Sequence, residues 1–293
     1  MRMRRLGGRH FLRGFLSVLR AGGANLALRR RAQAREPTMQ QFSSNSVRIA
    51  FIDAPAQGED RGEPILLIHG FASSLQINWV NPRWVDTLTK AGRRVVALDN
   101  RGHGQSEKLY APEAYDSVAM AQDAVNLLDH LEIGRADVMG YSMGARIGAY
   151  LALDHPDRVR SLILGGLGDH LVNGVGLPIG IAEAMEAPSL EAISDPIQRM
   201  FRNFADRNHS DRAALAACIR GSRQSMSAEE VARIGCPTLV AIGTKDEIAG
   251  DPHILAAMFP RGEALEIPGR DHNLAVGDKV YKAGVLDFLG RRA

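Results

Sequence analysis

The first residues that could do chemistry are a serine and the glycines around it. Gly140-Tyr141-Ser142-Met143-Gly144 follows the strand-like segment ADVM at 136–139 and opens a helix-like run at 143–155. Strand, turn and helix in that order form the setting a nucleophilic serine needs. So tight a turn strains the backbone at Ser142, and glycines at 140 and 144 remove side chains that would collide there. The hydroxyl then stands above a sheet at the positive end of a helix dipole. A serine attacks only if a base takes its proton, and that base is a histidine oriented by a carboxylate. Of nine histidines, His272 falls in the loop between the last strand and the last helix, on the same side of the sheet as Ser142. Asp246 directly follows the strand at 238–243 and is the preferred carboxylate. Two rivals stand. Asp251 suits a helix cap before Pro252, and Asp169 follows the strand SLILGG. Asp271, beside the base, reads as a turn carboxylate.

These residues need a frame. Residues 47–53 alternate like a strand, and 65–68 (ILLI) form the continuous apolar run of a strand buried on both faces. Further strands are expected at 94–98, 136–139, 159–164, 238–243 and 264–267. Helices are expected at 82–91, 116–131, 143–155, 252–259 and 281–289. The helix at 116–131 sets Met120, Ala124, Leu127, Leu128 and Leu131 on one face. Such alternation predicts an α/β protein, a mostly parallel sheet with helices on both faces. Chemistry in such sheets gathers beyond the carboxyl ends of the strands.

Between 168 and 235 the pattern changes. No strand run appears, and helices are expected at 179–186, 196–207, 211–224 and 228–233. This reads as a small helical cap inserted before the last two strands. The division is therefore a core of 41–168 and 236–293, a cap of 169–235 and an arm of 1–40. Leu171, Val175, Leu177, Ile181, Met185, Met200, Phe201 and Phe204 are the cap's apolar residues. Most should pack the cap onto the core, and some should line a partly apolar pocket.

With two more segments, the sequence resembles the α/β-hydrolase superfamily, in its capped esterase- and lactonase-like branch. His69-Gly70-Phe71 matches the family's oxyanion motif, and Asp99-Asn100-Arg101-Gly102-His103-Gly104-Gln105-Ser106 its glycine-rich turn. Ser142, Asp246 and His272 run in the family's chain order. The likeness covers about residues 39–289. It implies an eight-stranded sheet and an oxyanion hole made by the backbone N–H groups of Phe71 and Met143. It implies that His69 shapes its loop rather than taking part in chemistry. A structural part is expected for His103 too, in its tight turn, and the other histidines show no constellation.

The reading that follows is a serine hydrolase of a small carboxylic ester, lactone or thioester, needing no cofactor. Two alternatives remain. One is hydrolysis of a carbon–carbon bond in a dienoate ring-cleavage product, with Arg199, Arg202 or Arg207 holding a substrate carboxylate. The other is a ligand-binding member of the fold without turnover. A serine at 142 argues against epoxide hydrolases and haloalkane dehalogenases, which resemble this fold but attack with a carboxylate.

Composition narrows the classes further. The net charge of +3 hides a division. Residues 1–40 hold ten arginines and one acid, and the remaining 253 hold 26 basic and 32 acidic side chains. The basic charge belongs to the arm, so no nucleic-acid surface is expected on the body. The arm has the composition of a mitochondrial-type presequence or a membrane-surface helix, or translation begins at Met39. A cytoplasmic protein is expected, or a mitochondrial or membrane-surface one if the arm is real. No run of apolar residues is long enough for stable membrane insertion. Two cysteines, Cys218 and Cys236, exclude a disulfide scaffold and read as small buried hydrophobes. No Rossmann glycine pattern, P-loop or H-E-x-x-H appears, so neither a nucleotide nor a metal is expected.

Overall fold

Apolar strands too short to be helices pair here into one eight-stranded sheet. The computed structural model describes residues 37–174 and 177–292. The strands are β1 (Gln40–Ser44), β2 (Val47–Ala54), β3 (Ile65–Ile68), β4 (Val95–Leu98), β5 (Ala136–Tyr141), β6 (Val159–Gly165), β7 (Thr238–Gly243) and β8 (Gly262–Ile267). Their order is β1-β2-β4-β3-β5-β6-β7-β8. β1 and β2 run antiparallel to their neighbours, and all other pairings are parallel. Every residue of β3, β4, β5 and β7 is buried, as central strands covered on both faces must be.

The helices are α1 (Trp84–Lys90), α2 (Ser117–His130), α3 (Met143–Asp154), α4 (His170–Asn173), α5 (Gly180–Glu186), α6 (Pro196–Arg207), α7 (Arg212–Gly221), α8 (Ala228–Ala232), α9 (Pro252–Met258) and α10 (Lys279–Arg291). Local chemistry sets their starts. Asp116, Asp195, Asp211, Asp251 and Asp278 each accept backbone N–H bonds at a helix N-terminus. Ser227 and Glu230 close a reciprocal capping box on α8. Two apolar layers flank the sheet. One holds Leu66, Val138, Ile147 and Leu162, and the other holds Leu67, Trp79, Trp84 and Phe288.

The expected strands and helices are present, most within a residue or two of their expected limits. β1 was not foreseen, and Gln40, assigned to the arm, begins it. The remaining readings on the arm fall on residues 1–36, outside the described residues. A π-helical turn at Gln76–Val80 and the short α4 were also not foreseen. The insertion between β6 and β7 is helical, but α8 packs against α3 and α9 of the core. Among the described residues no helix is long and apolar enough to cross a membrane.

At the amino end of β5, Asp137 is fully buried. It meets Arg93 at 3.0 Å and Arg292 at 2.6 Å and accepts from the Ser161 hydroxyl at 2.7 Å. This cluster closes the sheet end opposite Ser142.

Candidate active site

The turn after β5 puts Ser142 at φ +54°, ψ −114°, a conformation that a side chain rarely adopts. The surroundings force it. The Ser142 N–H is held by the Gly165 carbonyl of β6 at 2.7 Å. A Cβ at Gly144 would lie 2.1 Å from the Ile68 carbonyl oxygen, and one at Gly140 would lie 2.1 Å from that of Gly144. The first turn of α3 therefore rests directly on the end of β3. Gly70 follows β3 so closely that a Cβ there would be 3.4 Å from that of Ser142.

The loops after β7 and β8 meet beside this turn. His272 Nδ1 lies 2.8 Å from Asp246 Oδ2. The other oxygen, Asp246 Oδ1, accepts the N–H groups of Ile248 at 2.9 Å and Ala249 at 3.1 Å. The carboxylate is thus fixed from one side and turned toward the imidazole from the other. Asp251 is occupied as the cap of α9, through the N–H groups of His253 and Ile254. Asp169 accepts from the Asp251 N–H at 2.6 Å and from the Asn173 amide. Neither rival carboxylate meets His272. Asp271 accepts the N–H groups of Asn273 and Leu274, a local turn as expected.

Ser142 and His272 line one cavity of about 220 Å³. No hydrogen bond joins them among the described residues. Gly70, Phe71 and Ser73 line the same cavity from the loop after β3, and Met200, Phe201 and Phe204 line it from α6. Three of the expected apolar cap residues therefore face a pocket here. Leu177 faces a second one, and Leu171, Ile181 and Met185 are buried in the core. Val175 lies outside the described residues.

The loop after β3 is held by a buried network. His69 Nδ1 lies 2.7 Å from the Gly70 carbonyl, and His69 Nε2 accepts the Asn100 N–H at 2.9 Å. The imidazole therefore carries its proton on Nδ1. A peptide unit is planar and trans, so fixing the Gly70 carbonyl aims the Phe71 N–H the opposite way. The Gly70 N–H is itself held by Asn78 Oδ1 at 2.8 Å. Asn78 belongs to the unforeseen π-helical turn, and no local sequence signal marked it. The Phe71 ring leans on His103 and on Phe201 of α6, with centroids 5.9 Å apart in each case.

The glycine-rich turn after β4 is a scaffold. Asp99 accepts the N–H groups of Leu75 and Gln105, and Arg101 forms a two-pronged pair with Asp123 at 2.7 and 2.8 Å. Burial pulls His69 down to about 4 and His103 down to about 3, so both are neutral near pH 7. Both sit behind the loop, not in the cavity. Burial also pushes the Cys218 thiol up to about 12 and the Cys236 thiol upward. Among the described residues no cluster of His, Cys, Asp and Glu could hold a metal ion.

The three arginines expected to serve a substrate carboxylate divide. Arg202 is buried and committed to Asp206 and to the carbonyls of Ala184 and Ala187. Arg199 reaches the Ile193 carbonyl, and Arg207 lines the first cavity. Two arginines not singled out, Arg146 and Arg223, line the second cavity.

Residues 63–173 match the family model described as the alpha/beta hydrolase fold. A candidate carbamate hydrolase, RutD of Variovorax paradoxus strain S110, is 39% identical over 271 residues, covering 80% of this chain and 94% of that one. The dihydrolipoyllysine-residue acetyltransferase component of the acetoin cleaving system of Pseudomonas putida is 31% identical over 257 residues. That match covers 82% of this chain and spans 66% of the relative's length. The crystal structure of a hydrolase from Pseudomonas aeruginosa PA01 superposes with a TM-score of 0.68 at 25% identity, over 86% of this chain and 98% of that one. The chain belongs to the α/β-hydrolase fold family, and its relatives include proteins named as hydrolases.

Proposed function

We propose that the protein is a serine hydrolase of a small carboxylic ester, lactone or thioester. The observation that carries this reading is the 2.8 Å His272–Asp246 pair set beside Ser142, itself at a strained φ of +54°. Ser142 Oγ attacks the acyl carbon while His272 Nε2 takes its proton. The carbonyl π pair moves onto oxygen, and the N–H groups of Phe71 and Met143 hold that oxyanion. Each such donor is worth roughly 3 kcal/mol to the transition state. Collapse expels the alcohol or thiol, which leaves with the proton returned by His272, and an acyl-serine remains. Water then attacks with the same proton relay, and the acid departs. Asp246 keeps the imidazole in the tautomer that presents a bare Nε2.

A carbamate is the second reading, favoured by the likeness to the candidate carbamate hydrolase over 94% of its length. Its carbonyl would undergo the same attack. For the carbon–carbon alternative, Arg202 is already paired with Asp206, which leaves Arg207 on the first cavity wall as the candidate for a substrate carboxylate.

The test is labelling of the folded chain with a fluorophosphonate, alongside turnover of short p-nitrophenyl esters. Labelling and turnover that both disappear in Ser142→Ala support the reading. A folded protein that neither labels nor turns over these esters refutes it and favours a binding role.

A further inference from the structure

Ser142 and Phe71 stand at the seam of two cavities. The first holds His272. The second, of about 470 Å³, is walled by Met143, Leu167, Leu177 and Ile219, and His272 is not among its residues. On the serine-hydrolase reading, which this inference rests on, a leaving group must receive its proton from His272. The leaving group therefore occupies the first cavity. The acyl chain, on the far side of the attacked carbonyl, occupies the second.

That second cavity is mostly apolar, with Asn173 and Ser222 also on its wall, and it carries an unusual set of charges. Arg146, one turn along α3 from Ser142, is 4% exposed. Its Nη1 donates to the carbonyls of Leu171 at 3.1 Å and Gln224 at 3.0 Å, and its Nη2 to those of His170 at 2.8 Å and Gly174 at 3.3 Å. Among the described residues no carboxylate pairs with it, and burial holds its guanidinium below the usual range. Arg223 is half-buried and donates Nη1 to the Leu177 carbonyl at 2.9 Å, again with no carboxylate pair among the described residues. His170 stands exposed on the wall with Nδ1 against the Ile248 carbonyl. Among the described residues Glu247, exposed, is the one acid on the wall. Carbonyl dipoles alone compensate a buried cation poorly, and a carboxylate held by a guanidinium fork does so far better.

We propose that the second cavity is an acyl subsite selective for acyl chains that end in a carboxylate, with Arg223 pairing with that carboxylate and Arg146 supplying positive potential behind it. The substrate is then a half-ester, or a lactone bearing an acid group.

The test compares monomethyl succinate, glutarate and adipate with methyl butyrate, valerate and hexanoate, matched in acyl length. At least one acid-bearing ester should exceed its neutral partner tenfold or more in kcat/KM. Arg223→Gln should lower that ratio at least tenfold, and Arg223→Lys should restore part of it. Calorimetry with free glutarate and adipate gives a readout that needs no turnover. Binding should persist in Ser142→Ala and disappear in Arg223→Gln. Neutral esters preferred, a ratio unmoved by Arg223→Gln, or no dicarboxylate binding would overturn the subsite while fluorophosphonate labelling leaves the serine reading standing. Arg223-dependent binding without labelling would uphold the subsite and refute the serine reading.

Discussion

The Tyr141 hydroxyl donates a 2.6 Å hydrogen bond to the backbone carbonyl of His272, 131 residues away. The residue that precedes Ser142 thus tethers the loop that carries His272. Tyr141 is buried, with its ring tilted against the imidazole at 5.4 Å between centroids. Removing the bond with Tyr141→Phe should lower kcat several-fold with little change in KM, and cost about 1 kcal/mol of stability. Steady-state kinetics on a short ester, beside urea unfolding, checks both. An unchanged kcat would show that the loop holds itself.

In the proposed mechanism Asp246 acts through its grip on His272 Nδ1. Asp246→Asn keeps the shape but favours the wrong tautomer, so kcat should fall by about 10⁴-fold. The backbone bonds to Ile248 and Ala249 remain available to the amide oxygen, so the melting temperature should move little. A fall of under tenfold in kcat would remove Asp246 from the proposed mechanism and leave its bond to His272 structural.

Gly144 has no room to change. A Cβ there meets backbone on β3 at 2.1 Å, and backbone cannot move aside as a side chain can. Gly144→Ala should destabilise the fold by about 3 kcal/mol, from overpacking, and displace the Met143 N–H. Chemical denaturation reads the first effect, and the labelling rate of Ser142 reads the second. Near-wild-type stability would mean that the contact of α3 with β3 is looser in solution.

Burial of His69 and His103 makes the fold sensitive to acid. Their pKa values are lowered to about 4 and about 3 from an ordinary 6.5. A lowered value in the folded state means that the unfolded chain binds more protons between those values and 6.5. Their contribution is therefore complete above pH 6.5 and is lost as pH falls toward 4 and 3. His103→Asn keeps a donor for the Arg101 carbonyl, which lies 2.9 Å from His103 Nδ1, and removes one titrating group. Unfolding free energies at pH 7 and pH 5 should differ less in the variant than in the wild type. Equal differences would mean that His103 does not titrate in this window.

Strands β3, β4 and β7 were legible as short, almost wholly apolar runs, and β2 by its alternation. Ser142 was legible because a glycine–serine turn between a strand and a helix leaves a strict local trace. His272 and Asp246 were reachable because each immediately follows a strand of a parallel sheet, so both must emerge on one side. Other features leave no such trace. β1 is short and half exposed, and only pairing with β2 makes it a strand. Asn78 sits in a turn whose bonds depend on the loop after β3 lying beside it.

Residue types, order and spacing by themselves determined the family, the sheet and the preferred triad, since local geometry and apolar runs are properties of neighbouring residues. Tertiary structure alone shows that Asp246, and not Asp169 or Asp251, meets His272, because three carboxylates near one loop differ only in where their oxygens point. It also decided which arginines face a cavity. Arg202 and Arg146 look alike in sequence. One is neutralised by Asp206 four residues on, and the other is buried against backbone carbonyls brought from 24 to 78 residues away.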